Sequence, residues 1–395
     1  MRSRSPWLLD PTVTFLNHGS FGGAPAPVLE AQSHLREELE RRPIAWLAPE
    51  RELIPKLDAV RERLGALIGA DPQDLVFVQN ATTAVNAVLR SARFVAGDEI
   101  VFTSHGYNAC NNVVRYLGEV AGVVPVVADV PFPIDSPGQV VEAIERVLTP
   151  RTKLVLVDHV TSPTGLVLPI EAILALCHAR GVRVLVDGAH APGMLPLALD
   201  TLGADYYTGN CHKWLCAPKG CAFLHVRRAL QHEVRPVTIS HGYNTPQPGR
   251  SRYLTEFDWP GTYDPTPILA LPTAIDWLDR QATDGIAGVM RQNRDLALAA
   301  RALLCAELGL TPPAPEEMLG ALVTLPLPPG PAPEGPLDPL HVKLYEAHRI
   351  EVPVVHCPRA GVRWFRVSAQ LHNDLDDYRE LARALRAEGV GRARA

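Results

Sequence analysis

A chain of 395 residues and 43.0 kDa is longer than one hydrophobic core usually supports, which predicts a large domain with a smaller companion. Its composition, 47% hydrophobic and 21% charged, excludes wholesale disorder, and a net charge of -5 without runs of like charge excludes a surface built for nucleic acid or an anionic membrane. Seven cysteines, with no Cys-x-x-Cys pair, suit a reducing compartment rather than a disulfide framework.

From the start of the chain, no apolar stretch has the length of a signal peptide or a transmembrane helix, so a cytoplasmic location is expected. Apolar residues at three-and-four spacing predict helices at about 26–41 and 50–68. A strand at Leu75–Val78 then runs into Asn80-Ala-Thr82-Thr83, which opens a helix to 91. Backbone N–H groups and hydroxyls at such a start suit a phosphate, although a plain N-cap explains Asn80 or Thr82 equally well. The strand Glu99–Phe102 leads to Ser104-His105-Gly-Tyr107. The strand Leu154–Asp158 leads to the turn Thr161-Ser162-Pro-Thr-Gly165, and a helix follows at 170–179.

The strand Val182–Asp187 ends in a carboxylate and continues as Gly-Ala-His190. After it comes Tyr206-Tyr-Thr-Gly-Asn210-Cys-His212-Lys213-Trp214, with Lys213 in a turn, and then the strand Cys221–Val226. Cys211, Cys216 and Cys221 fit no zinc spacing, and no metal is expected. A helix is predicted at 266–281 and a long one from about 285 to 308. Pro326 to Pro339 holds seven prolines among fourteen residues, a loop or a lid, and strand-like residues lie around Gly320–Leu325.

Strands alternating with helices between 75 and 226 read as an α/β domain with a mostly parallel sheet, helices covering both faces. The expected division is a large domain at 20–282 and a smaller α+β domain formed by 1–19 and 283–395. Open sheets of this kind bind ligands at the carboxyl ends of their strands, where Asp187 stands. Alone, Asp187 reads as a loop cap and Lys213 as a solvated surface residue. Together they offer an amine for an aldehyde and a carboxylate for a ring nitrogen, the two requirements of pyridoxal phosphate. No Gly-x-Gly-x-x-Gly follows any strand, so a nicotinamide enzyme is disfavoured.

The blocks Leu16-Asn-His-Gly-Ser-Phe-Gly22, His212-Lys-Trp-Leu-Cys-Ala-Pro-Lys-Gly220 and Arg366-Val-Ser-Ala-Gln370 together resemble the class V aminotransferase family of fold-type I pyridoxal-phosphate enzymes. The similarity is greatest to the isopenicillin N epimerase-like branch, and it spans almost the whole chain. It implies that Lys213 forms the Schiff base, that Asp187 pairs with the pyridine nitrogen and that His190 lies near the cofactor's phenolic oxygen. It also implies a phosphate site of Thr82, Thr83, Asn210 and His212. Thr161 or Ser162 would reach the ring edge. Tyr107 has the position of the ring that the family stacks on the cofactor, with His105 as its competitor, and either could act as an acid. Arg366 has the position of the arginine that grips a substrate carboxylate, with Arg363 as an alternative on the same strand, and Asn17 and His18 belong to the same substrate region.

Trp259-Pro-Gly261-Thr262 resembles the segment that donates a threonine to the neighbouring subunit's phosphate, which implies a homodimer with shared active sites. The chemistry implied is epimerisation or transamination at the Cα of an amino-acid-like substrate, with carbon–sulfur lysis as an alternative. The Pro-rich late loop holds no cysteine, which argues against the persulfide route of cysteine desulfurases. A catalytically silent sensor or binding module of the same fold is the reading from another class, and the intact lysine and aspartate argue against it.

Overall fold

The protein is described here by a computed structural model that covers residues 6–330, 335, 337–358 and 361–391. Part of the Pro-rich segment read as a lid, 331–334 and 336, lies outside those residues. The strands in chain order are β1 (Thr14–Phe15), β2 (Leu75–Val78), β3 (Glu99–Thr103), β4 (Val124–Ala128), β5 (Thr152–Asp158), β6 (Arg183–Asp187), β7 (Tyr206–Asn210), β8 (Ala222–Val226), β9 (Leu322–Pro326), β10 (Ile350–Glu351), β11 (Val354–His356) and β12 (Arg363–Ser368).

Seven of them form the central sheet in the order β2-β8-β7-β6-β5-β3-β4. β8 runs antiparallel to both its neighbours, and the other pairings are parallel. Alternation along β5 explains how the sheet is covered on both sides. Val155 and Val157 join an apolar cluster with Val101, Val184 and Val186, while Leu154 and Leu156 join another with Ile100, Phe102 and Leu185. Successive side chains of a strand point to opposite faces, so a continuous apolar run needs a helix layer on each.

The C-terminal part is built on the antiparallel sheet β11-β12-β9. Helices Gly285–Leu308 and Leu375–Ala387 contribute to its apolar cluster, which holds Ala300, Leu304, Phe365, Leu381 and, from the start of the chain, Leu16. β1 pairs with β10, so the first residues lie beside the last third of the chain.

Several elements differ from the sequence reading. The helix expected at 266–281 is two, Thr266–Leu269 and Leu271–Asp279, with Pro272 entering the first turn of the second. The helix expected from residue 50 begins with an irregular turn, Pro49–Leu53, before Ile54–Ile68. β4, β7 and the helices Asn108–Ala121, Gly138–Glu145 and Leu375–Ala387 are absent from that reading. Among the described residues no helix is long and apolar enough to cross a membrane.

Candidate active site

A cavity of about 950 Å³ opens at the carboxyl edge of the central sheet. Asp187 ends β6, Asp158 ends the neighbouring β5, and Lys213 lies in the turn after β7; all three line the cavity. Two glycines let the lysine turn sit close to its surroundings. A Cβ on Gly22 would stand 2.1 Å from the His212 carbonyl oxygen, and one on Gly193 would stand 2.5 Å from the Trp214 carbonyl carbon. Both glycines have positive φ, +70° and +83°, so any side chain there costs sterically twice over.

The Lys213 amine is buried, and its Nζ lies 3.1 Å from His190 Nε2. Burial is the main cause that lowers its pKa to about 8, helped by the positive charge of Arg366 and opposed by Asp187 and Asp158. His190 is held well below its usual value, first by burial and then by the Lys213 charge, so its ring is neutral. Trp214 Nε1 donates to His190 Nδ1 at 3.3 Å. An indole N–H can only donate, so Nδ1 is the acceptor and the ring hydrogen of a neutral His190 sits on Nε2. That hydrogen points at the lone pair of an uncharged Lys213. The arrangement therefore favours the amine in its nucleophilic form.

Asp187 accepts from the Ala189 N–H at 3.0 Å and from the Cys110 thiol at 3.2 Å. Burial raises its pKa, while those two hydrogen bonds and the Lys213 charge act the other way. Also at the cavity, helix Ala81–Ser91 starts at Asn80, whose Oδ1 accepts from the Thr83 N–H at 2.9 Å and the Thr83 hydroxyl at 3.1 Å. Asn210 Oδ1 accepts from the Ala81 N–H at 2.9 Å. Thr82, Thr83, Asn210 and His212 all line the cavity there, although the Thr83 N–H is already used by the cap. His212 Nδ1 lies 2.9 Å from the Cys221 carbonyl oxygen, and burial lowers its pKa to about 4.

The other expected site residues divide into those on the cavity wall and those behind it. Tyr107 lines the cavity and is half exposed, whereas His105 is buried, its ring nitrogens 2.8 Å from Thr164 Oγ1 and 3.1 Å from the Val130 carbonyl oxygen. Ser162 lines it, whereas the buried Thr161 hydroxyl is spent within its turn on Thr164 and the Leu166 N–H. Arg366 is buried behind Ser20 and Ser162. It donates to the Ser20 hydroxyl at 2.9 Å, to Asn17 Oδ1 at 3.3 Å and to the Ser162 carbonyl oxygen. Burial lowers its pKa to about 10. Arg363 instead forms an ion pair with Asp338 at 2.7 Å. His18 is fully buried, its Nε2 lying 3.1 Å from the Lys213 carbonyl oxygen, so it braces the lysine turn from behind. Gly261 and Thr262 follow the lining residue Pro260; Thr262 is exposed and does not line this chain's own cavity.

Asp158, Cys110 and Trp214 are site residues that sequence reasoning missed. The signal for Asp158 was available in the strand end Val155-Leu-Val-Asp158, which has the same form as Val184-Leu-Val-Asp187. Among the described residues, one group of His and Asp side chains, Asp74, Asp200 and His225, gathers within 4.8 Å. Asp74 there is already paired with Arg228 at 2.6 Å.

A mostly parallel α/β sheet with a buried lysine and an aspartate facing one cavity at its carboxyl edge defines an enzyme of the fold-type I pyridoxal-phosphate class. The cofactor's requirements match the donor set: an amine that can be neutral, a carboxylate on a strand end and a helix start with hydroxyls, an amide and an imidazole. The aminotransferase class-V family model matches residues 24–323, and the chain belongs to that family. It is 38% identical to an isopenicillin N epimerase of Amycolatopsis lactamdurans, over 96% of each chain. It is 30% identical to a probable chloroplastic L-cysteine desulfhydrase of Arabidopsis thaliana, over 95% of this chain and 83% of the relative. In fold it matches a cystine C–S lyase, C-DES, solved in complex with its product cysteine persulfide. The TM-score is 0.78 at 23% identity, covering 97% of this chain and 99% of the other.

Proposed function

We propose that the chain uses pyridoxal phosphate, held on Lys213, to move a proton at the Cα of an amino-acid-like substrate, with epimerisation or amino transfer as the outcome. The observation that carries this reading is the Trp214–His190–Lys213 chain at 3.3 and 3.1 Å, which favours an uncharged lysine in a cavity closed by Asp187. When bound, the cofactor withdraws electrons from the substrate and makes its Cα proton labile. The protein residues supply the rest. Asp187 would hold the ring nitrogen's proton by charge. Thr82, Thr83, Asn210 and His212 would surround the phosphate, and His190 with Ser162 the phenolic edge, Thr161 holding the turn behind it. Arg366, braced by Asn17 and Ser20, would grip the substrate carboxylate.

Lys213 would take the Cα proton on one side. Tyr107 precedes the helix after β3 and Lys213 follows β7, so they come from strands on either flank of β6, which carries Asp187. With both residues on the cavity wall, Tyr107 is the candidate for a second proton donor, which inversion at Cα needs and amino transfer does not. His105 would support the wall rather than donate, since both its ring nitrogens are already occupied.

The same reading makes the functional unit a cytoplasmic homodimer in which Gly261 and Thr262 complete the partner's phosphate site. It assigns 20–282 to a cofactor-binding domain and 1–19 with 283–395 to a smaller one that supplies Arg366. A second reading, carbon–sulfur lysis, is supported by the desulfhydrase relative at 30% identity. Cys357, near Asp158 in the late part of the chain, has its thiol pushed up to about 12 by burial, which argues against a cysteine nucleophile.

The test is a screen of amino acids with the purified holoenzyme in deuterium oxide. Deuterium at Cα with inversion is the expected result for epimerisation, a keto acid with aminated cofactor for transamination, and sulfide with pyruvate for the lyase. Borohydride reduction that fixes the cofactor on a lysine other than Lys213, or no exchange with any amino acid, would remove the proposal.

A further inference from the structure

Asp158 and Asp187 are register partners at the ends of adjacent parallel strands, which stand roughly 5 Å apart. Both are buried, at 4% and 2% exposure, and both line the cavity. Their surroundings differ. Asp187 has two donors, the Ala189 N–H and the Cys110 thiol. Asp158 has the Tyr107 N–H facing it, but its Oδ2 is buried without a hydrogen-bond partner.

Two neighbouring buried carboxyls resist ionising together, and the one with more donors keeps the charge. Here that is Asp187. Burial first, and then the charge on Asp187, push Asp158 well above the usual carboxylate range, while the Tyr107 N–H and the Lys213 amine oppose the shift. The other titratable groups facing the pair are the Cys110 and Cys357 thiols and the Tyr107 and Tyr207 phenols, all raised by burial and therefore uncharged. The Cys110 sulfur in turn faces the Thr82 hydroxyl.

We propose that Asp158 is a positioning residue that keeps its proton, so that, with the Cys110 thiol donating to Asp187, a single negative charge faces the ring-nitrogen end of the cofactor site. The inference rests on the proposed role of Asp187. The unpartnered Oδ2 is the atom left to carry the proton. One carboxylate balances one pyridinium charge, whereas two would leave an uncompensated anion in a buried site. Asp158 thus sets the charge count, and Asp187 makes the contact.

Infrared spectroscopy of the holoenzyme at neutral pH tests this directly. The wild type should show the carbonyl band of a protonated carboxylic acid, sensitive to deuterium oxide, and Asp158→Asn should lack it. Because the amide matches a neutral acid in shape and charge, cofactor affinity should change by less than about threefold. The ring nitrogen of isotope-labelled cofactor should still read as protonated by nuclear magnetic resonance. Absence of the band in the wild type, its persistence in Asp158→Asn, or loss of the protonated ring nitrogen in that variant would each overturn the proposal. Should the amide disturb folding, Asp158→Leu, of similar volume, gives the same infrared comparison. The band can also be recorded on cofactor-free protein, so the pair is judged separately from the attachment of cofactor to Lys213, which borohydride mapping decides.

Discussion

A lysine in water is almost wholly charged at neutral pH and is no nucleophile. Lys213 is different because burial brings it to about 8, which leaves about one molecule in ten uncharged at pH 7. Cofactor capture by the cofactor-free protein should therefore rise about tenfold per pH unit below that value and level off above it. Stability follows with its own sign. The folded chain binds fewer protons than the unfolded one between about 8 and the ordinary lysine value of 10.5, so cofactor-free stability gains across that window as pH rises. Trp214→Phe removes the indole donor and frees His190 to present either nitrogen. The capture profile of that variant should move to higher pH, and capture at pH 7 should fall by roughly threefold to tenfold. Profiles that superimpose on the wild type would leave Trp214 with a packing role alone, beside Met194 and Leu322 in its cluster.

The helix start at Asn80 joins stability to binding at the scale of one element. Its side-chain oxygen caps Thr83 while Asn210 caps Ala81, so the first turn is held in place under the cavity. Asn80→Ala should cost about 1 kcal/mol in unfolding free energy and weaken cofactor affinity in the same variant, measured by chemical denaturation and by equilibrium dialysis. Lost stability with unchanged affinity would separate the cap from the site. Elements such as this were legible in the sequence because their signal is local: an apolar burst, an Asp or Asn at its end, a helix pattern after it. β4 was not, since Val124-Pro125-Val-Val-Ala128 is an edge strand with mostly outward-facing residues and a proline. Helix Asn108–Ala121 opens with polar residues and no capping side chain. Helix Leu375–Ala387 did carry a signal, the capping box of Asp374 and Asp377. Lys213, Asp187 and Asn210 could be named from motifs. Asp158 and Cys110 could not be joined to Asp187 without the strand order, because their importance lies in side-by-side placement rather than in spacing along the chain.

At the scale of the whole molecule, the cavity of one chain has an exposed apolar rim: Phe21, at 77% exposure, and Val237, at 42%, both line it. Apolar side chains left open around a binding site call for a cover, and a second copy of the chain supplies one under the dimer reading. Gly261 has φ +110° with nothing within 4 Å of where its Cβ would be, and Thr262 beside it is exposed, so there is room for a second chain to meet this turn. A phosphate dianion needs several donors to offset its desolvation, and part of the local supply is spent, since Asn80 and Asn210 already take the Thr83 and Ala81 N–H groups. Thr262 from the partner would add a hydroxyl on the uncovered side. Thr262→Val should then weaken cofactor binding while the residual holoenzyme keeps its chemistry. Mixing two inactive variants, Lys213→Ala and Thr262→Trp, is the sharper measurement. A dimer carrying one of each would hold one site with both the intact lysine and the intact threonine, because each site takes Lys213 from one chain and Thr262 from the other. Activity should return on mixing, up to half the sites of each mixed dimer. Full activity in a monomer, or no recovery when subunit exchange is proven and both parents are inactive, would mean that each site is built from one chain alone.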